Sequence, residues 1–190
     1  MSRVWPLPYP VPDDVVARAA SIRLAAFDVD GVLTDGSVTY GPRGEDYKTF
    51  NIKDGQGLES LLDCGIEVAI ISSRSSPGVS CRAGELGIRH VQTGVPNKLR
   101  ALESLLATCA LDADQCCYVG DDLVDVSVML RCALGIAVSD AHHAVRHIAS
   151  WVTPSGGGRG AVREVCDVIL YAQQKFDDIM DRQMTLSATP

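Results

Sequence analysis

No stretch of this 190-residue chain is apolar for anything near the ~20 residues that a membrane-crossing helix needs, which excludes a helical span. The opening segment carries Trp5, Pro6, Pro8, Pro10 and Pro12 but no apolar core of the signal-peptide kind, so the expected setting is the cytoplasm. Basic charge is scarce as well. With 17 Lys and Arg against 24 Asp and Glu the formal net charge is −7, which argues against a nucleic-acid partner. None of the seven cysteines stands in a C-x-x-C spacing, so no zinc site is expected, and the thiols read as reduced and mostly buried. Internal repeats and composition breaks are also missing. The expectation is one domain over 1–190, with 46% hydrophobic residues and a mean hydropathy of +0.10 to build a substantial core.

What is present is an alternation of short apolar runs and helical patterns. Strands are predicted at Leu24–Phe27, Glu67–Ile71, Cys116–Val119 and Gly135–Val138, with weaker ones near His90–Val91 and Trp151–Val152. Helices are predicted after a Pro-rich lead (1–20) at Asp13–Ala20, then at Asp54–Cys64, Pro77–Leu86 and Asn97–Cys109, with Asn97 as N-cap. A last helix is predicted from Ala161 to about Arg182, after a Gly-rich segment that opens near Ser155 and reads either as a mobile lid or as only a loop. Its stripe of Val162, Val165, Ile169, Ala172, Phe176 and Ile179 suits either the chain's own sheet or a second subunit. Gln183–Pro190 reads as a frayed tail. Such alternation implies an α/β fold, a parallel sheet with helices on both faces. The segment 36–51 departs from it, alternating around Gly41–Gly44 as a projecting β-hairpin.

Four chemical features fall just beyond four predicted strands, where open α/β sheets bind ligands. Asp28 and Asp30 follow the first strand, and two carboxylates so close are tolerated mainly beside a cation or a shared proton. That is the arrangement of a metal-assisted aspartyl nucleophile with its own acid/base partner. Ser72-Ser73-Arg74 follows the second strand, Lys98 opens a helix, and Gly120-Asp121-Asp122-Leu123-Val124-Asp125 follows Cys116–Val119. An anionic substrate would need these few cations gathered at the site against the overall negative charge.

This order of Asp-x-Asp, Ser, Lys and Gly-Asp-Asp-x-x-Asp resembles the four motifs of the haloacid dehalogenase-type phosphohydrolases. The resemblance implies a three-layer Rossmann-like fold in which Asp28 attacks phosphorus and Asp30 serves as acid and base. It implies Mg²⁺ held by Asp28, Asp121 and the main-chain carbonyl of Asp30, with Ser72 and Lys98 on the phosphoryl oxygens. Asp122 and Asp125 are expected to orient Lys98 and metal-bound water. Only residues 29–71 separate Asp28 from Ser72, and 73–97 separate Ser72 from Lys98, which leaves no room for a cap domain. Within that superfamily, Asp28–Gly36, Phe50–Gly55, Asn97-Lys98, Gly120–Asp125 and Gly157–Asp167 are similar to the 3-deoxy-D-manno-octulosonate 8-phosphate phosphatases.

The similarity implies a homotetramer acting on a small phosphorylated sugar acid in lipopolysaccharide synthesis, with the hairpin and neighbouring subunits covering each site. It also implies that Asn51, Ile52, Lys53, Asp54, Gly55, Arg74, Arg82 and Lys98 contact the substrate, Arg74 or Arg82 taking its carboxylate and Asp54 its hydroxyls. The Gly-rich segment would reach across a subunit boundary. Ser72-Ser73-Arg74 in place of Thr-Gly-Arg and Ser127 in place of Pro leave the sugar open: a nine-carbon 2-keto acid 9-phosphate remains an alternative. So do a non-catalytic oligomerisation module, which has no need for two repelling carboxylates, and a phosphorylated receiver domain, whose acidic pair stands before the phosphorylated Asp where here it comes last.

Overall fold

A computed structural model describes residues 5–44 and 46–186. The start of the Pro-rich lead (1–4), Glu45 of the hairpin and the end of the tail (187–190) lie outside the described residues. Six parallel strands form one sheet in the order β5-β4-β1-β6-β7-β8: β1 (Leu24–Phe27), β4 (Glu67–Ile71), β5 (His90–Gln92), β6 (Cys116–Gly120), β7 (Leu134–Ala137) and β8 (Trp151–Val152). β1 is buried along its whole length because neighbours cover both of its faces, as its unbroken apolar run requires. β2 (Thr39–Tyr40) and β3 (Asp46–Tyr47) make the separate antiparallel hairpin, shorter than expected.

From β1 the chain first steps outward through α2 (Ile52–Asp63) to β4 and through α3 (Pro77–Glu85) to β5. It then crosses back through α4 (Lys98–Cys109) to β6 and continues through α5 (Val126–Met129) and α6 (His143–Ile148) to β7 and β8. Right-handed crossovers running in opposite directions put the two helix groups on opposite faces. The direction switches between β1 and β6, so the crevice beyond their carboxyl ends is where a ligand belongs. α1 (Asp13–Ala19) and α7 (Ala161–Ala172) pack with α2 over one face. No helix among the described residues is long and apolar enough to cross a membrane.

Several expectations shift. α2 begins at Ile52 rather than Asp54, because the Asn51 side chain caps Lys53 N–H at 2.8 Å. The single last helix is two, α7 and α8 (Phe176–Leu186), broken where Gln174 adopts φ 59°. The break is held by the Gln173 amide on the Ile22 carbonyl (2.7 Å) and by Lys175 Nζ on the Cys64 carbonyl (2.7 Å). Its apolar stripe packs on the chain's own core, and residues 183–186 are helical rather than frayed. Of the cysteines, Cys116, Cys117 and Cys166 are buried while Cys81 is exposed, and all seven are free.

Candidate active site

Beyond β1 the backbone makes a wide turn over Val29–Leu33, in which Gly31 takes φ 92°. A Cβ at Gly31 would lie 2.1 Å from Asp121 Oδ2, so only glycine lets the loops after β1 and β6 close on one another. Asp28 is buried at this junction, its N–H on the Val119 carbonyl of β6 (3.0 Å). From the opposite face, the first residue of α4 brings in Lys98, whose ammonium lies 2.8 Å from Asp28 Oδ1 and 2.7 Å from Asp125 Oδ1. Asn97 fixes that helix start by accepting from Arg100 N–H at 3.0 Å. Ser72, at the end of β4, is buried and accepts from Arg74 N–H at 3.2 Å, which leaves its own hydroxyl proton to donate. Asp28, Ser72 and Lys98, with Asp30, Arg74, Asp121 and Asp122, line an open cleft of about 160 Å³.

Asp125 is fully buried and saturated. Its Oδ1 accepts from Lys98 and from Tyr118 Oη (2.8 Å), and its Oδ2 from the N–H groups of Asp121 and Asp122. Gly120 makes room for it, since a Cβ there would stand 2.5 Å from that of Asp125. Tyr118 gave no sequence signal, because a tyrosine in an apolar strand looks like core. Asp122 does not reach Lys98. Its carboxylate caps the short turn that follows, accepting from Leu123 N–H at 2.7 Å, so the expectation that it helps orient Lys98 is corrected.

Carboxylate oxygens of Asp28, Asp121 and Asp125 all lie within 4.8 Å of one another, and Asp121 Oδ1 is buried without a hydrogen-bond partner. Burial and the charge of Asp125, opposed by Lys98, push Asp28 up to about 6. Burial, Asp28 and Asp125 push Asp121 up to about 7. An orphaned oxygen among under-neutralised carboxylates is what a hard divalent cation such as Mg²⁺ fits. Lys98 stays charged: burial opposes this, but Asp28 and Asp125 outweigh it and raise its pKa.

A carboxyl raised on folding contributes stability that is fully present below its unfolded pKa of 3.8 and is lost as pH rises through about 6 and 7. Metal binding replaces the protons, so Mg²⁺ is expected to raise Tm over an EDTA control more at about pH 8 than at about pH 5. An equal shift at both would place the ion elsewhere.

The expected substrate segment 51–55 mostly faces away from this cleft. Asn51 Nδ2 donates to the Gly158 carbonyl (3.3 Å), and Ile52 and Lys53 are exposed. Asp54 is buried. It accepts from Arg163 N–H (2.8 Å) and Gly160 N–H (3.4 Å), tying α2 to the start of α7. Arg82 lies over Gly55, paired with Glu85 at 3.1 Å, and lines a separate small cavity with Phe50, Leu58 and Val79. The Gly-rich segment is docked within its own chain rather than standing as a lid. Gly158 N–H donates to the Val32 carbonyl (2.9 Å) and Gly157 N–H to Asp140 (2.9 Å).

Arg74, by contrast, stands at the mouth with its side chain 45% exposed, its Nε 3.8 Å from Asp30 Oδ2. The sequence reading missed Lys48, which the hairpin inserts against Asp30 Oδ1.

The sequence matches the haloacid dehalogenase-like hydrolase family over residues 91–164. It is 49% identical over 168 residues to 3-deoxy-D-manno-octulosonate 8-phosphate phosphatase KdsC of Yersinia pestis, covering 88% of this chain and 90% of that protein. The chain belongs to the 3-deoxy-D-manno-octulosonate 8-phosphate phosphatase family. It is accordingly a phosphoric monoester hydrolase of the haloacid dehalogenase type. The solved phosphatase of this family from Y. pestis superposes with a TM-score of 0.87, over 88% of this chain and 91% of that one. The Moraxella catarrhalis phosphatase, solved with magnesium, phosphate and KDO, is 40% identical, with a TM-score of 0.88 over 90% and 98% of the two chains.

Proposed function

We propose that the protein is a Mg²⁺-dependent phosphatase that hydrolyses 3-deoxy-D-manno-octulosonate 8-phosphate in the cytoplasm, within lipopolysaccharide biosynthesis. The observation that carries this is the buried Lys98 bridging Asp28 and Asp125 beside the orphaned Asp121 oxygen, at the switch point of the sheet. The named activity of relatives nearly half identical supports the choice of sugar.

Asp28, held by Lys98 on Oδ1, attacks phosphorus in line and forms an aspartyl phosphate as the bond to the sugar oxygen breaks. Asp30 gives its proton to that leaving oxygen. It then takes a proton from the water that attacks the aspartyl phosphate, releasing phosphate and restoring the Asp28 carboxylate. Lys98 and the Ser72 hydroxyl hold the phosphoryl oxygens. Asp28, Asp121 and the Asp30 carbonyl would hold Mg²⁺, which when bound would neutralise charge on the phosphoryl group. Arg74 is the cation for the substrate carboxylate. The cleft is uncapped; Val124 on its lining (59%) and the neighbouring Leu123 (56%) are exposed apolar groups, as are Tyr40 (64%) of the hairpin and Ile52 (75%) of α2. Such exposed groups support a homotetramer in which neighbouring copies cover each site.

Phosphate release from the eight-carbon ester with Mg²⁺, run beside EDTA and a nine-carbon 2-keto acid 9-phosphate, tests the proposal. Fast metal-dependent release with a higher kcat/KM for the eight-carbon ester is expected. A preference for the nine-carbon ester would move the pathway and keep the chemistry; release from neither would favour a non-catalytic module.

A further inference from the structure

Lys48 sits in the hairpin, 18 residues from Asp30 in sequence, yet its ammonium donates to Asp30 Oδ1 and its side chain is only 2% exposed. An ammonium so enclosed is tolerated only if paired, and its second partner is Asp46 Oδ2 at 3.7 Å. Asp46 is itself fixed from α3, accepting from Ser76 Oγ at 3.1 Å. The chain Asp30–Lys48–Asp46–Ser76 therefore ties the residue assigned as acid and base to the hairpin and to the start of α3. The other oxygen of Asp30 faces Arg74 at 3.8 Å, but that side chain is 45% exposed. Its hold is weakened by water, and the hold of Lys48 is not. A hairpin with two-residue strands has little stability of its own, so an enclosed ammonium paired just past the end of β3 fixes where it docks.

We propose that Lys48 is a positioning residue for proton transfer: it holds the Asp30 carboxyl at the angle from which it reaches the leaving oxygen. Lys48 keeps its own proton throughout. The transferred proton moves from Asp30 to the leaving oxygen in the first step, and from water to Asp30 in the second. The inference rests on the phosphatase reading above.

Leaving groups separate this role from plain structural support. An alkoxide needs the proton from Asp30, whereas p-nitrophenolate departs with little help. Lys48→Met is expected to lower kcat/KM, which reports only the steps up to the aspartyl phosphate and so leaves out the water attack common to both esters, by about tenfold to a hundredfold on the eight-carbon sugar ester, the scale of a misplaced catalytic group, and by less than about threefold on p-nitrophenyl phosphate. Lys48→Arg should recover most of the loss. Asp46→Asn, which loosens the tie from its far end, should change the ratio between esters in the same direction by less, and serves if Lys48→Met does not fold. Equal losses on both esters, a change in KM alone, or an unaltered ratio in Lys48→Met and Asp46→Asn would overturn the inference. A wild-type enzyme inactive on both esters would overturn the phosphatase reading itself.

Discussion

Asp28→Asn is expected to reduce phosphate release by at least ~10⁴-fold, the scale on which enzymes lose activity with their nucleophile. The amide keeps the shape and can still accept from Lys98, which retains Asp125 at 2.7 Å, but it cannot displace an alkoxide from phosphorus. The fold should survive. Burial and Asp125 raise the Asp28 pKa to about 6 against the pull of Lys98, so its favourable contribution to folding is present in acid and gone above that pH. Removing the charge therefore should leave Tm of the metal-free protein at about pH 8 unchanged or higher, a case of a site maintained against stability. Phosphate release and thermal unfolding on the same preparation check both halves. Residual turnover above about one per cent of wild type would assign the nucleophile elsewhere.

Gly157→Ala should damage activity from outside the cleft, though less than loss of the nucleophile does. Gly157 has no positive φ to defend; its constraint is contact. A Cβ there would lie 1.8 Å from the Gly31 carbonyl oxygen and 2.8 Å from that of Thr34. Both are backbone atoms of the turn that carries Asp30, so the methyl fits only if that turn moves. Overpacking of this kind costs about 1–3 kcal/mol. For a chain of this size that is a fall in Tm of roughly 3–10 °C. The displaced turn should lower kcat by about a hundredfold, because misplacement near 1 Å is enough for that. Gly84→Ala in α3 is the control: nothing lies within 4 Å of its Cβ position, and alanine favours the helix, so activity should hold and Tm stay or rise. Unchanged kcat in Gly157→Ala would separate the Gly-rich segment from catalysis.

What could be read from the chain was whatever depends on neighbours in sequence. Four apolar residues at Leu24–Phe27 followed by Asp28-Val29-Asp30 announce a buried strand ending in carboxylates. Asn97 announces the helix start that delivers Lys98, and the spacing between motifs leaves no cap. Each rests on period, capping or chain length. The misreadings share another cause. Asp54 looks like an acid in the first turn of a helix facing solvent or substrate, yet its partners are the N–H groups of Gly160 and Arg163 at the start of α7. Lys48 looks like a solvated residue in a polar hairpin until that hairpin folds back on Asp30. The glycines at 156–158 look mobile because their backbone freedom is local, while the walls that immobilise them are Gly31, Thr34 and Asp140.

By itself the sequence determined the order of the strands and of the longer helices between them, and that Asp28, Asp30, Ser72, Lys98 and Asp121 meet beyond the strand ends. Periodicity, caps and residue chemistry are properties of a few consecutive residues. The tertiary structure decided which carboxylates are shared and which are occupied. Asp125 rather than Asp122 holds Lys98, Asp54 is given to α7, Arg82 lies in a separate cavity, and Lys48 faces Asp30. Those outcomes depend on which backbone amides and cations lie within about 3 Å once the chain is packed, and hydrogen bonding at that range carries no trace in linear spacing.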